Sequence, residues 1–254
     1  MHIRAKKFLG QHFLKDDGIA LRITEALTHH GGYRHVIEIG PGTGALTKHL
    51  ITRTDIDLTC IELDRESVPF LRDHYPALKL IEGDFLHLDL SRIANGKVAV
   101  IGNFPYNIST QIIFKVLENR DRVTEVVGMF QKEVADRFRA PHGNRTYGIT
   151  SVLMQAFYTI EEVIAVPPSA FIPPPKVQSA VIRLQRNDVE KLPCDEGLFR
   201  AVVKAGFLHR RKTLHNALKT FAALPHGVPD QFAKLRAEQL SVADFITLAQ
   251  MCTP

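Results

Sequence analysis

Asn103-Phe104-Pro105-Tyr106 sets an amide, a stiffened backbone and an aromatic face side by side, a combination suited to an amine on a flat ring. An exocyclic aromatic amine is a poor nucleophile because its lone pair is delocalised into the ring. The Asn103 side-chain carbonyl and a backbone carbonyl at Phe104 or Pro105 could accept both amine hydrogens. Such bonds would draw the nitrogen toward tetrahedral geometry and aim its lone pair at an electrophilic methyl. Tyr106 offers a face on which the base can stack. Rate would then come from preorganisation rather than from a strong base. The same residues also fit a plain proline turn in which Ser109 caps the next helix.

Three further segments suit a nucleoside. Glu38-Ile39-Gly40-Pro41-Gly42-Thr43-Gly44 follows an apolar run and precedes a helical one. Glycines there let the chain turn sharply and let a ligand approach the backbone. Gly40, Gly42 and Ala45 also satisfy the loose dinucleotide fingerprint, with Glu62 near the spacing of its ribose-binding acid, so a nicotinamide oxidoreductase stays open at this point. Glu62 could accept from two ribose hydroxyls. In Gly83-Asp84-Phe85, Asp84 could accept from an adenine amine while Phe85 covers the ring.

These segments need a scaffold that brings them together. From Val36 onward short β-rich runs alternate with helical patterns, the signature of an α/β fold with a parallel sheet covered by helices on both faces. Strands are predicted at Val36–Ile39, Leu58–Glu62, Leu78–Ile81, Val98–Gly102 and Glu125–Phe130, with helices at Ala45–Ile51, Glu66–His74, Ser109–Leu117 and Ile149–Phe157. Glu162–Val166 and Val177–Leu184 could close the sheet as a hairpin around a proline-rich loop. The chemistry-bearing residues then sit at successive strand ends, where such folds bind ligands. Beyond Asn187 the pattern is helical: Leu198–Phe207, Thr213–Ala222, Pro229–Glu238 and Ser241–Cys252. This predicts domains 1–187 and 188–254.

A net charge of +5 hints only weakly at an anionic partner, but its distribution says more. Met1–Lys15 carries Arg4, Lys6, Lys7 and Lys15, and Gly197–Lys219 carries six Lys and Arg residues, neither block with an acid. They suggest RNA contacts, above all at Arg210, Arg211 and Lys212. Three widely spaced cysteines suggest neither disulfides nor a zinc site. No run approaches the roughly 20 apolar residues of a membrane span, so a cytosolic protein is expected.

Taken together, these motifs resemble the ribosomal RNA adenine N6-dimethyltransferases, in particular the bacterial branch acting on small-subunit (16S) rRNA. The resemblance covers almost the whole chain, from Lys7-Phe8-Leu9-Gly10-Gln11-His12-Phe13-Leu14 through the segments above to Phe171-Ile172-Pro173-Pro174-Pro175-Lys176-Val177. It implies a Rossmann-like methyltransferase sheet with a small C-terminal helical domain for rRNA recognition, and S-adenosylmethionine as cofactor. Gln11, His12 and Leu14 would help cover that cofactor, with Gly40, Gly42, Glu62, Asp84, Phe85 and Asn103 completing its site. The family usually has asparagine where this chain has His12, and imidazole cannot reproduce an amide's donor and acceptor together; a contact there would run through the backbone. Phe171 would lie over the target adenine opposite Tyr106. Phe207-Leu208-His209-Arg210-Arg211-Lys212-Thr213-Leu214-His215-Asn216-Ala217-Leu218 looks like the signature of the small-subunit enzymes and is lacking in the resistance methylases that act on large-subunit rRNA. The implied substrate is two adjacent adenosines in the 3′-terminal hairpin loop of the RNA, in the immature 30S subunit, each dimethylated by a monomeric enzyme without metal. A catalytically silent ribosome-assembly protein would share the basic blocks and the fold.

Overall fold

The computed structural model describes residue 3 and residues 5–253, without the Lys7 side chain. In chain order the elements are β1 (Phe13–Leu14), α1 (Asp17–Glu25), β2 (His35–Ile39), α2 (Thr47–Leu50), β3 (Asp57–Glu62), α3 (Ser67–His74), β4 (Lys79–Glu82), β5 (Val98–Asn103), α4 (Ser109–Glu118), β6 (Val123–Gln131), α5 (Lys132–Arg139), α6 (Ile149–Gln155), β7 (Tyr158–Val166), β8 (Phe171–Ile172), β9 (Ser179–Arg186), α7 (Glu196–Leu208), α8 (Leu214–Ala217), α9 (Asp230–Ala233) and α10 (Val242–Gln250). Among the described residues no helix is long and apolar enough to cross a membrane.

The residues form two compact units, Met1–Ala135 with Thr159–Arg186, and Asp136–Tyr158 with Asn187–Pro254. The sequence predicts that residues 136–158 belong to the first domain. They group with the C-terminal residues instead because α6, whose Val152, Leu153 and Met154 are buried, packs on α7 and α10.

The first unit is built on a seven-stranded sheet of order β4-β3-β2-β5-β6-β9-β7. The first five are parallel and β9 runs antiparallel to β6. β5 and β6 are buried along nearly their whole length, as Val- and Ile-rich parallel strands must be when both faces are covered. The predicted hairpin exists, with the later strand, β9, lying inside and β7 at the edge. Chain order reverses between β2 and β5, which opens a crevice at the strands' carboxyl ends. A separate two-stranded ladder pairs Phe13 with Ile172 and Leu14 with Phe171.

Helix α1 was not evident from the sequence pattern. Asp16 caps it by accepting from Ile19 N at 3.0 Å, and Ala20, Ile23 and Thr24 form its buried face. In the second unit, α7 starts at Asp195, whose carboxylate accepts from Leu198 N at 2.8 Å, and buries Phe199, Val202, Val203 and Gly206. The predicted helices Thr213–Ala222 and Pro229–Glu238 shrink to the single turns α8 and α9. Each buries one or two residues, too little packing to sustain further turns.

Candidate active site

Residues 9–13, 39, 40, 42, 61–63, 83–86 and 103–108 line the crevice. Three strand ends supply its floor. After β2 the chain turns through Gly42 at φ 58°, and a Cβ there would stand 2.9 Å from the Phe13 ring. Glycine meets both demands.

At the end of β3, Glu62 is buried and accepts from Gly42 N and Asp64 N, each at 2.8 Å. One bond falls on each oxygen, so both keep a lone pair for a ligand hydroxyl. Burial pushes the Glu62 carboxyl above its ordinary range against the pull of these donors. Beneath the loop, Glu38 is fully buried, held by Thr47 Oγ1 at 2.8 Å and Cys60 Sγ at 3.3 Å. Burial raises it to about 7, and the Glu62 charge adds to the shift. The sequence offered Glu38 only as the start of the glycine motif; here it ties α2 to β2 and β3. After β4, Asp84 accepts from Leu86 N at 2.9 Å, and the buried Phe85 lines the wall beside it.

The N-terminal segment crosses this floor. Gln11 donates to Asp64 Oδ2 at 3.0 Å and accepts from Lys6 N at 2.8 Å, so its amide is occupied in holding the segment. Lys6, expected from the sequence to meet RNA, is paired with Asp64 at 2.5 Å and Glu66 at 3.0 Å. Burial opposes ionisation of Asp64, yet Lys6 and Gln11 outweigh it and hold that carboxyl below its usual range. The Lys7 side chain lies outside the described residues. Leu14, predicted to touch the cofactor, turns its side chain into the core, and Phe13 lines the crevice. Successive strand side chains face opposite ways, so a contact of Leu14 with the cofactor would run through its backbone.

At the end of β5 the Phe104 ring is buried edge-to-face on Phe130, centroids 5.2 Å apart. It lies over the paired Gly102 and Gly128, where a Cβ on either would collide with it. Phe104 therefore anchors the motif through its side chain and offers the crevice only its backbone. Asn103 Nδ2 donates to His12 O at 2.7 Å. A carbonyl can only accept, so this bond fixes the amide's orientation, and Oδ1 is left without a protein donor among the described residues. Of the two backbone carbonyls the sequence leaves open, Pro105 O accepts from Ile108 N at 3.2 Å while Phe104 O has no donor among those residues. Two free acceptors thus stand at adjacent residues. Tyr106 is half-buried, its hydroxyl 2.6 Å from Ser179 Oγ.

Phe171 does not open onto the crevice. It is 1% exposed and packs in the core of the first unit with Leu14 and Val181. Burying an apolar ring outweighs presenting it to water at a loop, and the ladder to Leu14 holds it there. In the second unit, Arg210 is tethered to Arg145 O and to Glu238 at 3.8 Å, whereas Arg211 and Lys212 are exposed on the turn after α7.

Comparison with known proteins matches residues 2–253 to the family described as ribosomal RNA adenine dimethylase. A Cytophaga hutchinsonii protein named ribosomal RNA small subunit methyltransferase A is 54% identical, the match covering 98% of this chain and 97% of that one. A Flavobacterium johnsoniae protein of the same name is 50% identical over 98% and 95%. Among solved structures, a dimethyladenosine transferase from Plasmodium falciparum aligns with a TM-score of 0.78 at 26% identity over 93% and 96% of the two chains. The 23S rRNA methyltransferase ErmE aligns at 0.68 and 25% identity over 93% and 99%. With its glycine loop, its strand-end acids and its pair of free acceptors beside an aromatic face, the chain belongs to the ribosomal RNA adenine dimethylase family.

Proposed function

We propose that the protein transfers methyl groups from S-adenosylmethionine to the N6 amines of two adjacent adenosines in the 3′-terminal hairpin loop of 16S rRNA, within the immature 30S subunit. It acts in the cytoplasm as a monomer, and each adenosine receives two methyls. The observation that carries this reading is the fixed Asn103 amide, which leaves Oδ1 free beside the free carbonyl of Phe104. The match to small-subunit relatives at 54% identity, against 25% for the 23S enzyme, supports the choice of RNA.

The crevice residues fit the cofactor. Glu62 keeps lone pairs for ribose hydroxyls, Asp84 suits an adenine amine, and Phe85 covers a ring. At Gly40 nothing stands where a side chain would be, which leaves that part of the loop backbone bare to a ligand. When bound, S-adenosylmethionine supplies a methyl carried by a positively charged sulfur. Asn103 Oδ1 and Phe104 O accept the amine's hydrogens and turn its lone pair out of conjugation. Tyr106 supports the base, and its bond to Ser179 anchors the hydroxyl end of the ring. The exposed Arg211 and Lys212 meet phosphates.

Incubating the protein with methyl-labelled cofactor and unmodified small subunits, then mapping the label, tests reaction and substrate together. Label on the two loop adenosines is expected. Label on large-subunit rRNA would point to the resistance-type reaction, and no label at all would favour the silent assembly protein.

Two variants test the cofactor site. Asp84→Ala and Glu62→Ala are expected to weaken S-adenosylmethionine binding in calorimetry while leaving affinity for small subunits nearly unchanged. Glu62→Ala has the larger effect because it also strands Gly42 N and Asp64 N. Unaltered cofactor affinity in both variants removes these carboxylates from the site.

RNA binding should divide within the basic turn. Replacing Arg211 and Lys212 together by alanine is expected to weaken binding and flatten its salt dependence, since each lost phosphate contact removes roughly 0.7 to 0.9 from the logarithmic slope. Arg210→Ala should instead lower thermal stability, because this side chain holds Arg145 and Glu238. A double variant with the wild-type slope would show that the two charges only face solvent.

A further inference from the structure

The N-terminal segment that crosses the crevice is anchored at both ends, since Ile3 before it and Leu14 after it are buried. The chain between them forms a strap. Gly10 bends it at φ 66°, where a Cβ would stand 2.6 Å from Asn107 Oδ1, and Asn107 Nδ2 donates to Phe8 O at 3.4 Å. Toward Leu14 the His12 ring stands on Tyr106, centroids 5.4 Å apart, and its Nδ1 lies 2.8 Å from Pro173 O. Toward Ile3 the tie is one of charge. Lys6 Nζ donates to Asp64 Oδ1 at 2.5 Å, and Gln11 adds its bond to Oδ2.

Asp64 serves the opposite wall at the same time. Its carboxylate accepts from Glu66 N at 3.1 Å and Ser67 Oγ at 3.3 Å, at the start of α3, and its backbone N–H is one of the two donors on Glu62. We infer that Asp64 is a positioning residue that couples the strap to Glu62: with Lys6 clasped on it, the strap is shut over the cofactor and Glu62 is set for the ribose, and opening the clasp loosens both. The inference rests on reading this crevice as the cofactor site. Leu9 to Phe13 line it together with Glu62 and Asp84, so a ligand held by the two carboxylates lies against the strap and leaves as the strap bows outward. Bowing withdraws Lys6 and Gln11, two of the side chains that donate to Asp64. Its side chain is only 1% exposed, and a charge shut away from water is costly once its partner has gone. Asp64 must then shift toward solvent, carrying with it the N–H that orients Glu62. Glu66, with 52% of its side chain exposed, keeps a hold on Lys6 at 3.0 Å and marks the side on which the clasp opens.

The test uses the full chain with Lys6→Met, Lys6→Arg and Asp64→Asn variants and two readouts. One is the release of tritiated S-adenosylhomocysteine, the spent cofactor, chased with the unlabelled compound. The other is hydrogen exchange, without cofactor, at the Leu9 and Gln11 amides, both of which donate to Lys6 O. Lys6→Met keeps the length of the side chain and loses its charge; Lys6→Arg keeps the charge. We expect Lys6→Met and Asp64→Asn to release S-adenosylhomocysteine roughly ten-fold faster than wild type, about the effect of losing one hydrogen bond to a charged group. Both should exchange faster at the two amides, with Lys6→Arg close to wild type in each readout. Release at the wild-type rate from folded Lys6→Met would overturn the inference, as would an arginine variant that behaves like the methionine one. A lower melting point in Asp64→Asn with unchanged release would reduce Asp64 to a cap of α3 and overturn it too. Should that variant fail to fold, the two Lys6 variants decide. If wild type does not bind S-adenosylhomocysteine, the proposed function falls and this inference with it; if it binds and every variant releases alike, only the clasp is wrongly assigned.

Discussion

Asn103→Ala is expected to lower the single-turnover methylation rate by about 10²-fold or more while changing affinity for small subunits far less. Stacking and phosphate contacts supply most ground-state affinity, and an amine conjugated with its ring gains little from one more acceptor. As the nitrogen attacks, its hydrogens become more acidic and the bond to Oδ1 strengthens. A contact made mainly in the transition state shows in kcat rather than in binding. The alanine variant also frees His12 O from its donor, so the measurement requires saturating cofactor and subunits. Methylation near the wild-type rate under those conditions would remove amine activation from this residue.

Phe171→Ala is expected to cost about 3 to 5 kcal/mol of folding stability, the usual loss when a large buried ring is truncated. The cavity would open in the core among Leu14, Ala170 and Val181, and the short β1–β8 ladder would lose the packing that holds it. Phe171→Leu keeps most of the volume, should cost less than about 1.5 kcal/mol, and should still methylate at close to the normal rate. Denaturant midpoints and single-turnover rates on the two variants decide between a core residue and a base-stacking one. A leucine variant that is stable yet inactive would return Phe171 to the site.

These two residues mark what the sequence could and could not convey. Asn103 was legible because strand, polar residue and proline follow one another, and a parallel sheet delivers its strand ends to one edge. The strand-end placement of Glu62 and Asp84 on the crevice was legible for the same reason, as was that of Asn103. Phe171 was not, since an aromatic residue before a proline run reads the same whether it anchors a loop or covers a ligand; only the pairing with Leu14 settles which way it points. The N-terminal segment has no period from which its facing could be read, so the inward turn of the Leu14 side chain was not legible. Lys6 looked like a free cation because its acids, Asp64 and Glu66, lie some sixty positions away. His12 was read from its donors and acceptors, and its ring contact with Tyr106 depends on a tertiary approach that no local pattern encodes.

With Asn103 and the Phe104 carbonyl accepting the amine's hydrogens as proposed, the orientation of the amide would also set where the reaction stops. Unmodified adenosine has two amine hydrogens for two acceptors. After one transfer a single hydrogen remains, enough to engage Oδ1 or the Phe104 carbonyl and to expose the lone pair again. After the second transfer none remains, and because His12 O holds Nδ2, the amide cannot turn over to offer a donor instead. The finished nucleotide faces two unpaired acceptors, each a penalty of about 1 to 3 kcal/mol when shut away from water. On that proposal dimethyladenosine would be expelled by the groups that gripped its precursor, with release built into the stoichiometry of the product.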